Sequence, residues 1–176
     1  IFTLPEGLTA IGNYAFFECD SLTSVFIPKN VKSMGILVFQ KCGAFESIEV
    51  DEENQHFASK DGVLFNKDMT HLITYPFSKV GAYVVPESVK VIERFAFQST
   101  AISAVSLPEG LTTIEKHVFG WCEHLDDVYI PDSVEYLGRK VFDGCRKLVS
   151  VSIPNHLQMK KVKYVESVEI IRREPN

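Results

Sequence analysis

Four cysteines, five histidines and a short acidic run are the side chains of this sequence best suited to chemistry. Cys19, Cys42, Cys122 and Cys145 could ligate a metal, act as nucleophiles or pair as disulfides, and each role demands a particular spacing. No pair among His56, His71, His117, His124 and His156 stands at a finger-type interval beside those cysteines, so no metal site is expected. Asp51, Glu52, Glu53 and Asn54 could attract calcium, but they lack the ligand order of an EF-hand loop and read as a solvated turn. Asp126 and Asp127 adjoin on a strand and point to opposite faces, which does not suit two carboxyls acting on one bond. A glycine-rich phosphate loop and a Gly-x-Ser-x-Gly elbow are both absent from the sequence. No catalytic residue and no cofactor are expected, and the protein reads as a non-enzyme.

Charge and composition narrow the partners. The 18 Lys and Arg against 23 Asp and Glu leave a formal charge of −5, which disfavours nucleic acid. At 45% hydrophobic the 176-residue chain can build a core, which excludes a disordered class. No apolar stretch approaches the roughly 18 to 20 residues that span a bilayer, so no direct membrane insertion is expected.

What must position these side chains is a repeat. Pro5, Pro28, Pro86, Pro108, Pro131 and Pro154 are separated by 23, 58, 22, 23 and 23 residues, and 58 is one period of 23 plus an insertion of 35. The third residue after the first five prolines is Leu8, Val31, Val89, Leu111 or Val134. The sixth is Ile11, Met34, Ile92, Ile114 or Leu137, and the eleventh is always phenylalanine: Phe16, Phe39, Phe97, Phe119, Phe142. Three residues later stand Cys19, Cys42, Thr100, Cys122 and Cys145. Each unit closes on an alternating apolar run such as Leu22, Val25 and Ile27.

An interval of 22 to 23 residues is one circuit of a solenoid. The closing runs alternate like half-buried strands and should pair in parallel between coils, with proline ending each strand. The segment from Gly12 to Glu18 and its equivalents predicts one or two helical or 3₁₀ turns that drive the phenylalanine inward. The cysteines share one repeat position, so their even number follows from the repeat. Stacked coils lie about 4.8 Å apart, whereas disulfide Cβ atoms lie near 3.8 Å, so a ladder of buried free thiols is expected.

The unit Pro, x, x, Leu or Val, x, x, Ile, Gly, x, x, Ala or Val, Phe, x, x, Cys resembles the BspA-type leucine-rich repeat over residues 1 to about 157. The third full unit departs from it by lacking one residue and carrying Thr100. The resemblance implies an α/β solenoid: a right-handed coil with a parallel sheet along one face, helical or 3₁₀ turns opposite and an inserted hairpin. It further implies secreted or cell-surface proteins of gut and oral bacteria and some protozoan parasites, serving adhesion or recognition.

One domain over residues 1–176 is expected, with repeats at 1–50 and 86–153, the insertion at 51–85 and a C-terminal cap at 154–176. Within the insertion, Gly62 to Asn66 and His71 to Tyr75 predict a β-hairpin around the loop Lys67 to Thr70, projecting from the stack as a splice or a flap. The basic residues Lys160, Lys161, Lys163, Arg172 and Arg173 read as a solubilising end. Outward strand positions form two rows: Phe26, Glu49, Ser106, Tyr129, Ser152, and Ser24, Ser47, Ala104, Asp127, Ser150. Phe26, Glu49, Ser106, Asp127, Tyr129 and Ser152 are the candidate binding residues, with Phe26 and Tyr129 as anchors for a host, matrix or neighbouring-cell protein or glycan. A spacer within a larger surface protein is the alternative, and a monomer is expected.

Overall fold

Each of the six prolines opens a tight turn whose carbonyl accepts the N–H three residues on: Leu8, Val31, Val89, Leu111, Val134 and Leu157. The ring fixes φ where a strand ends and offers no N–H to the ladder. The computed structural model describes residues 1–159 and 168–174, and in it three ladders run from coil to coil.

The first ladder is the strand before each proline. Ser24–Ile27 pairs in parallel with Phe2–Thr3 and Ser47–Val50, and Ile102–Ser106 pairs with Gly81–Val84. Ser150–Pro154 pairs with Asp127–Tyr129 and Glu169–Arg173. Inward residues such as Val25, Ile27, Ile48 and Val151 are fully buried. A second parallel ladder uses the sixth repeat position: Ala10–Ile11 pairs with Ser33–Met34, Val91–Ile92 with Thr113–Ile114, and Thr113–Ile114 in turn with Tyr136–Leu137.

The third ladder replaces the predicted helical turns. Among the described residues there is no helix, so the α/β expectation gives way to an all-β solenoid. The ninth and thirteenth residues after the first five prolines are left-handed: Tyr14 and Glu18, Leu37 and Lys41, Phe95 and Ser99, His117 and Trp121, Lys140 and Gly144, with φ from 54° to 81°. A left-handed residue at every fourth position interrupts a right-handed helix. These arcs instead point alternate N–H groups at the next coil. Phe95, Phe97 and Ser99 donate to the carbonyls of Lys116, Val118 and Gly120, and His117, Phe119 and Trp121 donate to those of Arg139, Val141 and Asp143. In the first coil Tyr14, Phe16 and Glu18 donate to Ile36, Val38 and Gln40.

The repeat phenylalanines stack inside the arcs. Phe97 lies 5.1 Å from Phe119, which lies 5.6 Å from Phe142, with rings near parallel. In the N-terminal block Phe16 stacks on Phe39 at 5.5 Å. Four of the five rings are buried, while Phe16 is half-buried in the first coil.

The insertion starts as a coil and then leaves it. Asp51 stands 23 residues after Pro28, in the proline position, and Asn54 takes the place of Val31. In that buried slot Asn54 binds backbone from both sides. Its Nδ2 donates to Pro28 and Val31 carbonyls at 3.0 Å, and its Oδ1 accepts from His56 and Phe57 N–H at 2.8 Å. The chain then forms Phe57–Lys60, Val63–Asn66 and His71–Thr74, each antiparallel to the next. The predicted hairpin loop is present, tied by Asn66 Oδ1 to His71 N–H at 2.8 Å.

The hairpin does not project. His71–Thr74 pairs in parallel with Val91–Ile92, which makes the insertion part of the second ladder. Val63 and Phe65 pack in the C-terminal core and Leu64 between them in the N-terminal core, so the two faces of one strand join the blocks. At the other end Glu169–Arg173 extends the first ladder by a strand. Lys160, Lys161 and Lys163 lie outside the described residues.

Candidate interaction face

Strand alternation decides which first-ladder side chains face out. The register places Phe26 beside Glu49, Ser106 beside Val84, Asp127 beside Ser150 and Tyr129 beside Ser152. Glu49, Ser106, Asp127 and Tyr129 are exposed, and Phe26 and Ser152 are half-buried. The six do not make one patch. Phe26 and Glu49 belong to the N-terminal sheet, which does not pair with the strands that carry Ser106, Asp127, Tyr129 and Ser152.

Around Tyr129 the side chains converge. The Arg173 guanidinium sits 3.7 Å from the centre of the Tyr129 ring, a cation–π contact. The same group donates to Ser152 Oγ at 2.8 Å, to the Ile130 carbonyl at 2.6 Å and to Asp132 Oδ1 at 2.9 Å. Beside it Ser150 Oγ donates to Asp127 Oδ1 at 2.7 Å. Val84, 70% exposed, and Ile171, 40% exposed, extend the outward row. Arg173 was missed as a member of this face. Its signal is strand parity: Glu169, Ile171 and Arg173 stand opposite Ser150, Ser152 and Pro154.

Most of the chemically capable side chains are engaged structurally, while Cys19, in the first coil, is half-buried. All four cysteines are free. Cys42, Cys122 and Cys145 donate S–H to the phenylalanine carbonyl of the preceding coil: Phe16 at 2.8 Å, Phe97 at 2.9 Å and Phe119 at 2.9 Å. Thr100 instead donates to Phe97 of its own coil at 2.7 Å. Burial pushes the Cys122 thiol up to about 12 and raises Cys42 and Cys145, which keeps these sulfurs out of the nucleophilic thiolate form.

Among the histidines, His71 Nδ1 lies 2.7 Å from Glu93 Oε1 and His156 Nε2 lies 2.8 Å from the Val134 carbonyl. His117 packs its ring 5.3 Å from that of Phe95, and burial lowers its pKa. In the acidic turn, Asp51 Oδ1 accepts the Glu53 N–H at 2.8 Å and Glu53 pairs with Lys29 at 2.6 Å. Among the described residues no three His, Cys, Asp or Glu side chains converge on a metal position.

Comparison with known proteins follows the same lines. The sequence matches the family described as BspA type leucine-rich repeat region in six copies, over residues 1–80 and 74–171. A leucine-rich repeat protein from Eubacterium ventriosum is similar in structure, with 30% identity, a TM-score of 0.80, and coverage of 85% of this chain and 41% of that one. The pneumococcal vaccine antigen PcpA is 27% identical with a TM-score of 0.73, over 96% of this chain and 49% of that one. A leucine-rich cell surface protein from Faecalibacterium prausnitzii is 25% identical with a TM-score of 0.63, over 95% of this chain and 52% of that one. The chain thus spans about half the length of these structures or less. No curated protein matches it.

Proposed function

The chain belongs to the BspA-type leucine-rich repeat family, and from that premise we propose that it is a non-enzymatic recognition module of the cell exterior, binding protein or glycan through its strand face. The observation that carries this reading is the outward row of the C-terminal block. There an exposed tyrosine is held against Arg173 between exposed Val84 and Ile171. A rigid, amphipathic aromatic on a repeat scaffold contributes contact area at low entropic cost, which is how interface anchors work. The buried, hydrogen-bonded thiols and the engaged carboxylates support a scaffold role over catalysis. A location outside the cell draws support from two relatives, one described as a vaccine antigen and the other as a cell surface protein.

The test is binding of the chain to immobilised extracellular-matrix proteins and to a glycan array. The double variant Phe26→Ala, Tyr129→Ala is compared with Lys140→Ala. A ligand held by the chain and by Lys140→Ala, but at least about tenfold weaker with the double variant, is the expected result. A ligand indifferent to both anchors overturns the strand-face assignment, and no ligand at all favours the spacer.

A further inference from the structure

Among the described residues the arc ladder breaks at the junction of the second and third full coils. In four full coils the chain takes 14 residues from the second-ladder residue to the buried strand residue: Ile11 to Val25, Met34 to Ile48, Ile114 to Val128, Leu137 to Val151. The third full coil takes 13, from Ile92 to Val105, and the inserted coil takes 11, from Leu72 to Tyr83. This short stretch cuts the corner and leaves a cavity of about 300 Å³ above Tyr75 and Phe77.

The two walls of that cavity carry opposite partial charges. On one side Leu37, Phe39 and Lys41 occupy the positions whose N–H groups elsewhere reach the next coil, and here no described residue accepts from them. On the other side stand the carbonyls of Arg94, Ala96 and Gln98. Ala96 accepts from Tyr75 N–H at 2.8 Å, and Gln98 accepts from the Gln40 amide across the gap at 3.5 Å. The buried Oε1 of Gln98 has no hydrogen-bond partner.

We infer that this groove binds an extended peptide segment of a partner protein, which supplies the missing rung. An anion would suit the N–H wall and be repelled by the carbonyl wall, and a cation the reverse. Each edge of an extended polypeptide carries carbonyls and N–H groups on alternate residues, so one edge can offer carbonyls to positions 37, 39 and 41 while the opposite edge offers the N–H groups of the intervening residues to the facing carbonyls. Sugar hydroxyls can donate or accept but lack that period. The peptide carbonyls meet Leu37, Phe39 and Lys41, its N–H groups meet Arg94 and Gln98, and the long Gln40 contact gives way. This site is separate from the strand face and does not rest on its role.

The full chain is tested in two steps. In the free protein, amide exchange at Leu37, Phe39 and Lys41 is expected to be at least about 100-fold faster than at Phe95, Phe97 and Ser99, whose hydrogen bonds are made. Next, random ten-residue peptides displayed on phage are selected on the full chain, and an enriched peptide is titrated into ¹⁵N-labelled protein. The expected result is shifts at those three amides, exchange slowed by at least about tenfold, and binding weakened about 5- to 20-fold by Gln98→Leu but unchanged by Tyr129→Ala. If Gln98→Leu does not fold, the exchange change on the unaltered chain decides. No enriched peptide, an enriched peptide that moves only strand-face resonances, or groove shifts produced by array glycans instead would each overturn the inference. The second of these outcomes leaves the strand-face reading standing.

Discussion

Between the third and fourth full coils the arcs share three hydrogen bonds, the two-residue strands pair, Phe97 stacks on Phe119 at 5.1 Å and Cys122 binds the Phe97 carbonyl. Between the second and third, the stack from Phe16 and Phe39 ends on Phe45 at 4.5 Å, and the one leading to Phe97 begins on Tyr75 at 4.9 Å. A solenoid therefore tolerates a splice where an inserted strand has two apolar faces. Leu64 serves one core, and Val63 and Phe65 the other. What the splice does not restore is the polar arc, because a stretch of 11 residues in place of 14 cannot follow the outer path.

The largest expected effect of that contrast is on core truncation. Phe119, with ring neighbours on both sides, should lose about 3 to 5 kcal/mol on Phe119→Ala, in line with large buried truncations. Half-buried Phe16 should lose about 1 to 2, because less apolar area leaves water there. Urea titration of both variants measures the pair, and equal losses would mean that the two blocks are packed alike.

Much of this architecture is readable in the residues. The proline period, the phenylalanine column, the strand parity and the thiol ladder all follow from apolar spacing, since burial selects residue type. The arcs do not, because their left-handed ninth positions are occupied by Tyr14, Leu37, Phe95, His117 and Lys140, with no glycine to mark them. Their conformation goes with backbone hydrogen bonds between coils, which leave no trace in side-chain pattern. The hairpin strands are equally visible, but their place in the stack is not. A run such as Val63, Leu64, Phe65 is apolar throughout because both its faces are buried, and that feature distinguishes a splice from a projecting flap. At the interaction face, Phe26 and Tyr129 follow from parity. Arg173 depends on a further strand beyond the last recognisable repeat, and the groove depends on a length deficit that only the register reveals.

Next in size is the splice itself. Asn54 holds two carbonyls of the second full coil and two N–H groups of the insertion. Asn54→Ala leaves these buried groups without partners and should cost about 3 kcal/mol, felt by the N-terminal block first. The single tryptophan, Trp121, lies in the C-terminal block and reports on that block alone. In the variant, the far-ultraviolet transition should begin at lower urea than the Trp121 fluorescence transition. Coincident curves would show that one cooperative unit spans the splice whatever Asn54 does.

The smallest effect separates arc conformation from arc hydrogen bonding. Glu18 and Lys41 occupy the thirteenth position of successive coils, both exposed, with φ of 56° and 59°, and they form an ion pair with each other at 3.0 Å. Removing either side chain therefore removes the same weak surface pair, and that contribution cancels in the comparison. Glu18 N–H donates to Gln40, whereas Lys41 N–H faces the open groove. Glycine relieves the cost of about 1 kcal/mol that an L-residue bears in this conformation, partly offset by the freedom it adds to the unfolded chain. Measured against Glu18→Ala and Lys41→Ala, which already remove the ion pair and the Lys41 contact with the Phe17 ring, Glu18→Gly and Lys41→Gly should each stabilise by about 0.5 kcal/mol. Equal gains would mean that neighbouring turns impose the left-handed residue even where the ladder is absent, so the groove wall is preformed. A gain confined to Glu18 would mean that Lys41 relaxes in solution and that the row of N–H groups exists only when something is bound to it.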